Sequence, residues 1–248
     1  MTTYPGALAL LGSGEYTAAM DETDRALLAP YRPTPSVALL PTASGLEPGM
    51  PATWNDRGAQ HFARLGAMVA KIPLVVRQDA FDASLLDLLS GHQLYYFSGG
   101  QPDYVIETLC DTPAWALIRA ARADGAALAG CSAGAMMLGG SCLSVRSIRA
   151  GDSPRYTPGL GVVPQLAILP HFDRMRGLFT PQVFERALAS APAGVTLVGI
   201  DEDTALVWSN ETGWRVSGRR GVTIFAAGGA LTLTAGQTAK LDAPQNKP

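Results

Sequence analysis

Short apolar runs alternate along the chain with stretches of helical period. Residues 7–11 read as a strand, and 18–29 as an amphipathic helix. Residues 37–40 form a strand stopped by Pro41, and 51–65 a helix whose proline sits in the first turn, where one is tolerated. Residues 68–76 read as a strand interrupted by Pro73, which places it near a sheet edge. A helix at 80–89, a strand at 93–97, helices at 102–110 and 113–123, and a strand at 126–129 complete this half. Such alternation predicts parallel strands joined by helical crossovers, with helices on both faces of the sheet.

The texture changes after Leu143. Residues 145–161 are polar and rich in Gly, Pro and Arg, and read as a loop. A strand at 166–169 ends at Pro170, and a helix follows at 181–189. Strands then succeed one another at 195–200, 205–208, 214–216, 222–225 and 230–234, with hairpin turns at 209–213 and 227–229. The expectation is one α/β domain over 1–248, with 204–240 as a small antiparallel β appendage and a frayed tail after Leu241.

Composition narrows the class. The 248 residues are 47% apolar and 16% charged, with a net charge of −2. High apolar content with little net charge excludes a disordered chain. The lack of a basic excess argues against nucleic acid as a partner. Three cysteines are too few, and odd in number, for a disulfide scaffold, and none pair as C-x-x-C. The uncharged stretch 125–145 contains five glycines, so it reads as strand, turn and helix rather than a membrane span. No targeting segment is visible, and a cytoplasmic location is expected.

The strongest chemical signal is Gly130-Cys131-Ser132-Ala133-Gly134, between an apolar strand and a helix-compatible run. G-x-S-x-G in that setting is a nucleophile elbow. The central residue sits on a tight strand-to-helix turn, so its neighbours must be small. The elbow presents Ser132 and turns Cys131 inward as a small buried residue. A serine nucleophile needs a base, and the chain has three histidines. His61 lies inside a helix and His92 in a turn, whereas His171 follows directly on a strand's C-terminal end, where α/β sheets place their sites. A carboxylate must then orient the imidazole. Asp152, in the polar loop, and Glu202, in Gly199-Ile200-Asp201-Glu202-Asp203-Thr204, are both candidates. Glu202 gives the chain order Ser, His, acid, which differs from the α/β-hydrolase order of Ser, acid, His. For the oxyanion, the Ala133 amide needs a second donor, and Phe97-Ser98-Gly99-Gly100-Gln101 offers bare backbone N–H groups.

These segments, with Pro170-His171-Phe172, occur in the order found in the dipeptidase E / cyanophycinase family of serine peptidases, which the chain resembles over roughly residues 90 to 210. The resemblance implies a fold similar to class I glutamine amidotransferase domains, with serine where those carry cysteine. It implies a triad of Ser132, His171 and Glu202, with Asp152 set aside, and oxyanion amides at Gly100 and Ala133. Gly99 and Gln101 would line the substrate. The family's branches act on aspartyl or β-aspartyl peptides and need a cation for the substrate carboxylate. Arg174 and Arg176 are the first candidates and Arg149 the second. In an extended chain, Arg174 and Arg176 would share a face. No metal or organic cofactor is implied. The partners expected are a small peptide and, as a candidate assembly, a second copy of the chain; no membrane partner is expected.

Overall fold

The computed structural model describes residues 5–178, 180–226 and 229–245, without the side chains of Arg176 and Leu178. Its first five strands are β1 (Leu8–Leu11), β2 (Ser36–Leu40), β3 (Met68–Lys71), β4 (Leu94–Phe97) and β5 (Ala127–Cys131). They run parallel in the order β1-β5-β4-β2-β3. β1, β4 and β5 are wholly buried, because helices cover both faces. Leu8 and Leu10 pack into one core layer, Ala9 and Leu11 into the other. This explains their unbroken apolar sequences.

α1 (Asp21–Leu28) and α2 (Met50–Arg64) cover the Ala9/Leu11 face through Met20 just before α1, Leu27 and Phe62. α3 (Ala83–Leu89), α4 (Pro102–Leu109) and α5 (Pro113–Ala123) cover the other through Leu89, Val105 and Trp115. Thr112 caps α5 by accepting from Trp115 N at 3.3 Å. The helix expected over 80–89 is split. A 3₁₀ turn spans Arg77–Phe81, and Asp82 caps α3 by accepting from Ser84 N and Leu85 N. β3 is the edge strand, as Pro73 implied, and it ends at Lys71, ahead of that proline.

The short helix α6 (Ala133–Met136) follows β5. The segment expected as a loop contains structure instead. β6 (Ser141–Leu143) pairs antiparallel with β7 (Tyr156–Pro158), and α7 (Val145–Arg149) lies between them. Ser144 caps α7 through Ser147 N at 3.2 Å. Arg146 binds Glu107 through two nitrogens, at 2.6 and 2.9 Å, which docks α7 on α4. A helix this short depends on its cap and docking, and composition does not reveal those.

The remaining elements are β8 (Leu166–Leu169), α8 (Phe172–Leu178), α9 (Pro181–Ala189), β9 (Thr196–Ile200), β10 (Thr204–Ser209), β11 (Gly213–Gly218), β12 (Gly221–Ala226), β13 (Gly229–Thr234) and β14 (Thr238–Ala239). The C-terminal strands are antiparallel, as expected, and divide between two sheets. β10 pairs with β1, and β11 and β14 extend the same sheet to eight strands. β8, β9, β12 and β13 form a second sheet, in which β8 and β9 are parallel. The described part of the tail, residues 242–245, is tied down rather than frayed. Asp242 O accepts from Trp214 Nε1, and Gln245 N donates to Val162 O, each at 2.9 Å. Residues 227 and 228 of the expected hairpin turn lie outside the described residues.

Candidate active site

The C-terminal ends of β1, β4, β5, β8 and β9 release five segments that meet at one site. Gly130 and Cys131 belong to β5, two residues beyond the expected strand end. The chain then turns at Ser132, with φ 51° and ψ −114°. A non-glycine residue in this conformation is strained, and such strain collects at functional positions. The turn explains its small neighbours. A Cβ at Gly130 would lie 2.2 Å from Gly134 O, and one at Gly134 would lie 2.7 Å from Phe97 O.

Ser132 Oγ lies 3.0 Å from His171 Nε2, and His171 Nδ1 lies 3.1 Å from Glu202 Oε1. His171 follows β8 with φ 50°, its N–H donating to Gly12 O at 3.3 Å. Glu202 follows β9. Its amide donates to Asp173 Oδ1 at 2.9 Å, and Asp173 Oδ2 accepts from Arg220 Nη1 at 2.7 Å. The neighbouring Asp201 accepts from Gly221 N at 3.0 Å, and burial raises its carboxyl above the ordinary range. The acid-rich turn is therefore a braced corner of the site.

The competing assignments lie elsewhere. Asp152 is exposed after α7. His61 is buried and bonded to Asp24 at 2.7 Å, and His92 Nε2 lies 3.0 Å from Leu88 O. Cys131 is fully buried, as an inward-turned elbow residue should be. Burial and the nearby Glu15 carboxylate push its thiol well above the usual range, so it stays protonated and a poor nucleophile.

The segment 98–101 faces the elbow. A Cβ at Gly99 would lie 3.3 Å from Ser132 Cβ. Gly100 has φ 149°, and a Cβ there would lie 2.2 Å from Ala43 O, so glycine is required. Gly99 N donates to Glu15 Oε1, which occupies it, and Gln101 N donates to Ala43 O. Among the described residues Gly100 N–H has no protein acceptor.

The arginines depart from expectation in one respect. Residues 172–178 form α8, so positions 174 and 176 are turned about 200° apart at ~100° per residue and do not share a face. Arg174 Nε lies 3.3 Å from Glu202 Oε2. The side chain of Arg176 lies outside the described part, and Arg149 is exposed at the end of α7.

The sequence reading missed Gly12-Ser13-Gly14-Glu15-Tyr16, which follows β1. Its available signal was a G-x-G pattern at a strand's C-terminal end. The segment touches every other part of the site. Leu11 O, just before it, accepts from Ser132 N, and Gly12 O accepts from His171 N. Cβ atoms at Gly12 and Gly14 would strike Asp201 and Asp203. Glu15 binds Gly99 and Cys131.

An α/β sheet carrying a serine on a strained elbow, bonded to a histidine from a neighbouring strand end, defines a serine hydrolase. A family model described as Peptidase family S51 matches residues 8–215, and the chain belongs to that family of serine peptidases. A cyanophycinase from Geminocystis herdmanii is 29% identical over 209 residues, covering 80% of this chain and 71% of the relative. A cyanophycinase from Trichormus variabilis is 28% identical, covering 76% and 62%. Among solved structures, a peptidase from an acI-B1 Actinobacterium superposes with a TM-score of 0.86 at 33% identity, covering 97% of this chain and 99% of that one. A putative peptidase E from Listeria monocytogenes, with a TM-score of 0.55 and 17% identity over 93% and 98% of the two chains, shares the fold. No helix among the described residues is long and apolar enough to cross a membrane.

Proposed function

We propose that this serine peptidase is an exopeptidase for short peptides, cleaving at an aspartyl or β-aspartyl residue through a Ser-His-Glu triad. The observation that carries the reading is the continuous chain Ser132 Oγ, His171 Nε2 and Nδ1, Glu202 Oε1, with links of 3.0 and 3.1 Å. Ser132 attacks the scissile carbonyl while His171 takes its proton. Glu202 fixes the imidazole tautomer and stabilises the imidazolium. The amides of Gly100 and Ala133 receive the oxyanion. His171 returns the proton to the leaving amine, and water, activated by the same histidine, hydrolyses the acyl-enzyme.

The acidic preference draws support from the family resemblance and from the cation beside the triad. Arg174 Nε lies 3.3 Å from Glu202 Oε2, and the side chain is largely exposed. A guanidinium placed there can grip a substrate carboxylate. A panel of α-Asp-X, β-Asp-X, Asn-X and neutral dipeptides, with simple esters alongside, tests the proposal. Preferential cleavage of one aspartyl series is expected. Equal cleavage of neutral peptides overturns the acidic specificity, and turnover of esters alone overturns the peptide substrate.

A further inference from the structure

The carboxylate of Glu15 is a half-buried acid that the proposed reaction does not use. Its Oε1 accepts from Gly99 N and its Oε2 from Cys131 Sγ, both at 3.0 Å. One carboxylate therefore joins the two walls of the site, the segment after β4 and the end of β5. Gly99 directly precedes Gly100, and Cys131 directly precedes Ser132.

On the far side of Gly100, Gln101 N is held by Ala43 O at 2.7 Å. Gly100 is thus clamped on both flanks while its own N–H has no protein acceptor among the described residues. Glu15 is itself held by an unusual backbone. Gly14 before it has φ 85° and Tyr16 after it φ 64°, a region that a bulky aromatic seldom occupies. The Tyr16 ring is held by Trp54, Phe62 and Tyr96, with centroids 6.1, 6.1 and 5.1 Å away. Packing thus over-determines the strained turn that aims Glu15 at its two donors.

We infer that Glu15 is a positioning residue for the oxyanion hole, tying Gly99 to the nucleophile elbow so that the Gly100 amide points where negative charge develops. The inference rests on the serine-peptidase reading and deepens it. A donor aimed at the transition state acts on kcat rather than on ground-state binding. Misplacement by about 1 Å costs on the order of 10²-fold.

The test compares wild type, Glu15→Met, which keeps bulk without an acceptor, and Glu15→Gln, which keeps a single acceptor oxygen. The readouts are kcat, KM, thermal midpoint and the affinity of a peptide boronate, whose tetrahedral adduct on Ser132 places an oxygen in the hole. Glu15→Met is expected to lose about 10²-fold in kcat and a similar factor in boronate affinity, with KM within about threefold. Glu15→Gln should lose about three- to tenfold in both, since it can serve Gly99 or Cys131 but not both. A fall confined to KM would mean that Glu15 touches substrate, and overturns the proposal. So does unchanged kcat and boronate affinity in Glu15→Gln, which decides the matter if Glu15→Met does not fold. A wild type that binds the boronate yet cleaves no peptide fails the peptidase reading alone, and the boronate affinities of the variants then judge Glu15.

Discussion

Arg174 Nε lies 3.3 Å from Glu202 Oε2, the carboxylate oxygen that His171 does not use. One arginine thus backs the proposed acid of the triad while standing at the mouth of the site. Its side chain is 61% exposed, so solvent screens both interactions. Arg174→Met should lower kcat/KM on aspartyl peptides by about tenfold or less, with a smaller loss on asparaginyl analogues. Equal losses on both would assign Arg174 to Glu202 alone and move the carboxylate partner to Arg149 or Arg176.

Ser132→Ala should fold normally and lose roughly 10⁴-fold or more in kcat, as other nucleophile–base units do. Cys131→Ala should stay within about tenfold of wild type, because its thiol is buried and held protonated. Labelling by a serine-directed phosphonate should vanish in the first variant and persist in the second. The reverse pattern would exchange the nucleophiles.

Glu202→Gln should reduce turnover by up to ~10⁴-fold, since the amide cannot stabilise the imidazolium and can impose the wrong tautomer. Asp152→Asn should leave kcat unchanged, because Asp152 is exposed beyond α7. Steady-state kinetics on one substrate compares them directly.

Gly130→Ala should prevent the elbow from forming. Its Cβ would sit 2.2 Å from Gly134 O, a backbone atom that cannot rotate away. Overpacking of this kind costs about 1–3 kcal/mol or more. Thermal unfolding should show a markedly lower midpoint, with activity lost beyond what the folded fraction explains.

Alkaline pH should weaken the fold through the cysteines. Burial raises the thiols of Cys131 and Cys142 above their ordinary range. A group raised in the folded state contributes stability that is complete below its unfolded value of about 8.5 and is lost as pH rises toward the folded value. Stability measured by denaturant should therefore decline above about pH 8.5. Cys131→Ala should show a shallower decline, with Cys142, Cys110 and the buried tyrosines, all raised by burial, supplying what remains.

The local features of the site were legible because they are local. The small residues around Ser132 reflect a turn that must pass close to itself, and the burial of Cys131 follows from the alternation at its elbow. Pro73 marked β3 as an edge strand. His171 stood out because a strand visibly ended at Pro170. Helix α8 escaped notice since seven residues containing glycine and two arginines carry little apolar period, and that one miss removed the shared face expected of Arg174 and Arg176.

By itself, the sequence determined the α/β class, the elbow and the identity of the candidate nucleophile and base, because periodicity and steric demand act between near neighbours. Between Asp152 and Glu202, only the resemblance to relatives chose, and only the fold shows Glu202 beside His171. The tertiary structure alone decided the place of Glu15, which meets Gly99 and Cys131 across 84 and 116 residues of chain. It also decided that β10, β11 and β14 extend the main sheet while β12 and β13 join β8 and β9 in a second. The first depends on parallel strands whose C-terminal ends meet, the second on the antiparallel pairing of β10 with β1. A contact between distant segments leaves no period in either of them.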